Sequence, residues 1–256
     1  PCFVNYLSLH PYNDANWNTA YSSIYWQRSD TTLSPLNAGD AMQANGGILS
    51  TGTTDAASLV WPSGAGTRMM WIPSKNAFRA GYILADEWDY ANIGVNSIAV
   101  GDSVWAGTSA ACFGSDSSAQ GSYSFAAGSY ANATGTGSIA MGQNVTASAN
   151  FSLALGGFVE ASGIGSYAHG YNISGDAGHL IASGAGSIAL GLATVIGTLQ
   201  ATGQASAAIG EDVQATQNNA FAFGKNFVNN TASSFAIGFN AIDLLITSGL
   251  ADFQDT

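Results

Sequence analysis

From residue 94 onward, small and large positions alternate along the chain with a fixed beat. The recurring word is Ser-x-Ala-x-Gly, with mostly large apolar residues at x. It reads SIAVG ending at Gly101, SFAAG at Gly128, SIAMG at Gly142, SLALG at Gly156 and SYAHG at Gly170. It returns as SIALG at Gly191, SAAIG at Gly210 and SFAIG at Gly238, with AACFG at Gly114 and AFAFG at Gly224 as degenerate copies. Successive closing glycines are 13, 14, 14, 14, 14, 21, 19, 14 and 14 residues apart. An alanine recurs five residues after the glycine at Ala106, Ala119, Ala133, Ala147, Ala161 and Ala215, and Asn229 breaks that pattern. Fourteen residues are too few for a strand-helix-strand unit and carry no 3.6-residue stripe. The spacing predicts an all-β solenoid in which each 14-residue coil holds two short strands and two corners. The two longer steps read as loop insertions, GYNISGDAGHLIASG and GLATVIGTLQATG.

Side chains alternate faces along a strand. The alanine column would therefore point into the coil interior: Ala99, Cys112, Ala126, Ala140, Ala154, Ala168, Ala189, Ala208, Ala222 and Ala236. A two-strand coil is narrow, and the expectation is that only such small residues fit inside. The opposite face carries Ile98 with Val100, Phe125, Ile139 with Met141, Leu153 with Leu155, His169, Ile188 with Leu190, Phe221 with Phe223, and Phe235 with Ile237. A ladder of that length exceeds the few hundred Å² of apolar patch that a soluble monomer tolerates. It is therefore expected to be an oligomer interface between copies of the chain.

The runs GVNSIAVG, GSYSFAAG, GTGSIAMG and GAGSIALG resemble the head repeats of trimeric autotransporter adhesins, the YadA-like heads. The resemblance covers roughly Gly94 to Gly238. It implies a left-handed parallel β-roll, three copies packed about a common axis, and an extracellular or cell-surface location. The preceding stretch, MMWIPSKNAFRAGYILADEWDYANIG, is similar to the lead-in of such rolls in secreted and tail-fibre-like proteins. No heptad run or barrel-strand alternation follows Gly238, which leaves a homotrimer and a head-to-tail fibre both open.

Composition changes near residue 94 as well. All five prolines and all six tryptophans lie at or before residue 105, and so do four of the five basic residues. Three regions are expected: an irregular, β-rich capping or assembly region over 1–93, the roll over 94–240, and a tail over 241–256. A net charge of −11 argues against nucleic acid and anionic membrane surfaces as partners. No apolar run reaches ~18 residues, so no membrane insertion by a helix is expected. The expected partners are the chain itself, and host or matrix surfaces and glycans. The chain opens at Pro1, which reads as a processed or truncated form.

Candidate chemistry is sparse. His10, His169 and His179 form no zinc spacing, and no GxSxG or HExxH occurs. Neither an enzyme nor a cofactor or metal site is expected. The acidic corners Asp102, Asp116 and Glu211–Asp212 lack the calcium-solenoid word. Asp86, Glu87 and Asp89 around Trp88 read as a solvated loop, with a cation or carbohydrate contact as the sharper alternative. His169 replaces an aliphatic residue of the ladder. Cys112 reads as a buried thiol, because a bridge to Cys2 would need the N-terminus inside the coil. Glycosylation sequons stand at Asn132, Asn144, Asn150, Asn172 and Asn229, at or near coil corners. The alternative is a surface binder such as an ice-binding or carbohydrate-binding solenoid, although threonine fills no column; a carbohydrate-processing solenoid would want paired carboxylates, which the repeats lack.

Overall fold

The computed structural model describes residues 26–29, 32–35, 61–173, 180–194 and 197–247. Residues 1–60 form one unit and 61–256 another. In the first, β1 (Trp26–Ser29) and β2 (Thr32–Pro35) pair antiparallel, Trp26 opposite Pro35. The second unit is a parallel β-roll. Among the described residues its only helices are single 3-10 turns, Pro73–Lys75 and Tyr90–Asn92.

Coils stack in the register that the repeat dictates. Ala140 faces Ala126 on one side and Ala154 on the other, and Gly142 lies between Gly128 and Gly156. Across the longer steps the register holds, with Ala168 opposite Ala189 and Ala189 opposite Ala208. In sequence, the insertions fall between the first and second strands of their coils. The second strand resumes at Leu180, stacked on Val159, and again at Leu199.

Two corners per coil place a residue in the left-handed region. One lies two residues after the closing glycine, as at Asn144 (φ 50°), Asp212 (51°) and Asn226 (53°). The other immediately precedes the Ser column, as at Asn96 (55°), Gly137 (65°) and Gly165 (64°). Asn, Asp and Gly adopt this region most readily. Tyr123, Tyr130, Phe151 and Phe158 occupy it too. Inter-coil bonding holds them there: Tyr123 N–H donates to Thr108 O (3.1 Å) and Phe151 N–H to Thr136 O (2.9 Å).

The interior contains the predicted alanine column, all ten members of which are buried, and the Ser column beside it. The expectation of a small-residue interior fails on the second strand. Three residues after most of the closing glycines, or after the insertion, stand Val104, Val145, Val159, Leu180, Leu199, Val213 and Phe227, all buried, with Ser117 and Ala131 as the small exceptions. The alanines of the first sheet make room for these larger residues of the second. Fully burying such a side chain contributes roughly 1.5–3 kcal/mol, so this column supplies much of the core.

The sheet also crosses the boundaries drawn from composition. β3 (Gly66–Ile72) and β4 (Ala77–Ile83) form an antiparallel hairpin, and β4 pairs parallel with the first coil, Phe78 opposite Ile98. At the far end, Leu244–Thr247 pairs antiparallel with Ser234–Phe239. Residues 66–83 thus continue the roll rather than precede it, and 244–247 are a strand rather than a tail. Composition failed here because neither end carries the repeated word.

The N-terminal end is plugged by two residues. Arg79 continues the alanine column and is fully buried, opposite Ala99. Its guanidinium donates to Phe78 O (2.8 Å), Ser97 O (3.2 Å), Ser97 Oγ (2.8 Å) and Ala106 O (3.3 Å). Burial lowers its pKa to about 10. Trp88 is also fully buried, its indole N–H donating to Val104 O at 2.7 Å. The solvated-loop reading is therefore wrong for Trp88, which is no platform for a ligand. Asp89 Oδ1 accepts from Gly64 N–H (2.7 Å), so the acidic loop is tied down as part of the plug.

Candidate interaction face

The first strands of successive coils make one sheet, and its outward face is the apolar ladder. Ile98, Val100, Phe125, Leu153, Leu155, Leu190 and Ile237 are partly exposed there. Ile139 (37%), Met141 (43%), Ile188 (38%), Phe221 (46%), Phe223 (50%) and Phe235 (41%) are more exposed still. The rungs stack in register, Ile139 between Phe125 and Leu153, and Phe221 against Phe235. Phe113 and Phe125 touch diagonally between the two columns, their ring centroids 6.0 Å apart.

The ladder is longer than the repeats. Phe78 and Ala80 of β4 continue it, then Trp71 and Met69 of β3, which pair with them. At the other end Ile246 lies opposite Phe235 and Leu244 opposite Ile237. Hairpin, ten coils and the reversed last strand make thirteen strands on this face. At 4.7–4.9 Å per strand the face is ~58 Å tall, and it is two columns wide.

The outward face of the second sheet is different. Its column runs Trp105, Ser118, Asn132, Thr146, Glu160, Ile181, Gln200, Gln214 and Val228, and six of these nine are polar. Glu211 and Lys225 form an ion pair beside it at 2.8 Å. The roll is therefore amphipathic, with one sheet clothed for water and the other not.

His169 stands in the ladder between Leu155 and Leu190, and it is exposed. The Tyr167 hydroxyl is 3.3 Å from its Nδ1, and the two rings stack at 6.1 Å. Cys112 is a buried free thiol whose pKa burial pushes up to about 11. Cys2, His10 and His179 lie outside the described residues. The acidic corners are occupied locally: Asp102 accepts from Ser103 Oγ (3.0 Å), Asp116 from Ser115 Oγ (2.9 Å), and Asp212 from both Thr194 N–H (2.7 Å) and the Thr194 hydroxyl. No three His, Cys, Asp or Glu side chains converge on a metal position among the described residues.

Two sequons are not at the surface. Asn172 and Asn229 are fully buried, opposite Ala193 and Ala215 of the interior columns. Asn229 donates to Phe221 O (2.9 Å) and accepts from Thr231 N–H (3.2 Å), so its amide is part of a corner. Asn144 and Asn150 are exposed and Asn132 partly so.

No curated protein matches the chain. Two segments, 133–158 and 201–226, match the YadA head domain repeat. Each spans two Ser-x-Ala-x-Gly coils or their degenerate form, with the glycines at 142 and 156 and at 210 and 224. Over those segments the chain carries adhesin-type head repeats, as the resemblance read from the sequence implied.

Proposed function

We propose that this is a non-catalytic structural protein of the extracellular space or cell surface, an adhesin head or fibre subunit. It associates with copies of itself through the apolar face of the roll, and three chains about one axis is the arrangement that hides all three ladders at once. The observation that carries this is the contrast between the two sheets, one apolar over thirteen strands and the other polar. Repetition then makes weak contacts with a host or matrix surface additive, since linked sites bind with high effective concentration.

The test is the mass of the native protein by light scattering, beside that of an Ile139→Asp/Phe221→Asp variant. Both positions are outward-facing, so the coil can fold without them and circular dichroism checks that it does. The expected results are three chains for the parent and dissociation for the variant. A Thr146→Asp/Gln200→Asp control on the polar face should keep the parent mass. A monodisperse monomeric parent, or unchanged assembly of the ladder variant, overturns the reading.

A further inference from the structure

Beyond self-association, we infer that a cleft at the N-terminal end of the roll binds a saccharide without acidic groups. The cleft follows from an irregularity in the polar sheet. In the outward column of the second strands, the first coil carries Trp105 and the next coil carries Ser118 directly opposite. A large ring beside a small side chain leaves an open step. The loop after β4 and the corner of the second coil wall that step, giving an open cavity of about 300 Å³.

Its walls have the chemistry of sugar recognition. Trp105 is partly exposed and is anchored by its indole N–H on Asn92 O (3.3 Å), so it offers a fixed apolar face for the C–H side of a pyranose ring. Around it stand Glu87, Asp116, Ser103, Ser118 and Gln120, a mixture of acceptors and donors suited to paired hydroxyls. Glu87 Oε2 and Ser118 Oγ are out of contact with solvent and have no hydrogen-bond partner among the described residues. Atoms closed to solvent are closed to a ligand as well, so the open lining groups Ser103, Asp116 and Gln120 are the ones that would meet sugar hydroxyls. Among the described residues no Lys or Arg lines the cleft, which disfavours sialylated or sulfated sugars. The cleft lies on the polar side of the roll, so it does not depend on association through the ladder.

The experiment is saturation-transfer NMR on the full chain with a panel of neutral hexoses, N-acetylhexosamines, sialic acid and methylammonium. A neutral or N-acetylated sugar is expected to receive saturation and to bind in the millimolar range, about 1 mM. Trp105→Ala should abolish the transfer, and Asp116→Asn and Gln120→Ala should each weaken binding roughly tenfold. Gln200→Ala, far along the same face, should leave it unchanged. Asp116→Asn and Gln120→Ala are conservative, so they keep the test valid if Trp105→Ala impairs folding. Silence from every neutral sugar overturns the inference. So does preference for methylammonium over all sugars, which would make this a cation site, or binding that survives all three variants.

Discussion

The closing-glycine column separates two reasons for glycine, conformation and space, and a pair of substitutions can tell them apart. Gly165 has φ +64° and nothing within 4 Å of where a β-carbon would stand. An alanine there meets only the left-handed penalty, ~1–2 kcal/mol, offset by ~0.4–1 kcal/mol from the stiffer unfolded chain. Gly142 has φ +133°, and a β-carbon would lie 2.8 Å from the carbonyl carbon and 3.1 Å from the nitrogen of Gly156, with the carbonyl oxygen nearer still. Ordinary contact requires the two coils to part by roughly 1 Å or more. Inter-coil hydrogen bonds such as Ile139 N–H to Ser152 O run at 2.9 Å, and that much parting breaks those nearest the site. Two lost bonds at ~1–3 kcal/mol each, added to the backbone strain, put Gly142→Ala at about 5 kcal/mol and Gly165→Ala at about 1. For a unit of this size 1 kcal/mol moves Tm by ~2–4 °C. Thermal melts by circular dichroism at matched chain concentration should therefore place Gly142→Ala ~10–20 °C below the parent and Gly165→Ala within ~4 °C. Equal melting temperatures for the two variants would refute the claim that stacked backbone, rather than turn conformation, makes this column glycine.

Two other outcomes follow from the interior. The Cys112 thiol is pushed up to about 11 from an ordinary 9.0, so the folded state holds its proton where the unfolded state has released it. Its contribution is complete below pH 9 and lost as pH rises through 11, roughly 2–3 kcal/mol in all. Arg79 works in the opposite direction, because its lowered pKa of about 10 means that deprotonation relieves burial at higher pH. Arg79 and the thiolate act on each other, so comparing the parent with Cys112→Ala reads the thiol together with its coupling to Arg79. Urea titrations at pH 8.5 and 11 should show the parent losing that much more than the variant. Separately, expression in a glycosylating host followed by peptide mapping should find sugar at Asn144 or Asn150 and none at Asn172 or Asn229, which are fully buried.

The fold was most legible where one spatial constraint acts on every coil. Alanine in the first sheet and glycine at its end repeat because each coil meets the next through the same close contact, and a constant step exposes that constraint in the sequence. The Val and Leu column was harder to see. It is diluted by Ser117 and Ala131 and is displaced by the insertions to Leu180 and Leu199, although these are the residues that fill the interior. The plug was opaque. Nothing in the sequence marks Arg79 as buried, and Trp88 sits in an acidic stretch that reads as a solvated loop. Only the end of a solenoid, where interior carbonyls such as Val104 O and Ala106 O need donors, gives both a buried place. Asn229 shows the same confusion, since a sequon and a corner amide look alike in one dimension. The ladder could be drawn from alternation, but Met69, Trp71 and Leu244 lie outside the repeats and join it through antiparallel pairing, which no period announces.

That antiparallel pairing bears on the direction in which the molecule can grow. A roll extends along its axis only if a new coil sets its glycine on the last one, because any other residue collides with the stacked backbone. The stack runs from Gly81, opposite Gly101, through to Gly224 and Gly238. On β3 the residue opposite Gly81 is Arg68, whose guanidinium is turned to Pro62 O and Gly64 O. At the other end the chain reverses, and Gly238 is already packed against Ala241. Among the described residues the glycine column is thus stopped on both sides by strands of opposite direction. The ladder has no such stop, since it runs unbroken across both reversed strands. The lateral face thus stays continuous where the glycine column ends, and that continuous face is the one the proposed self-association uses.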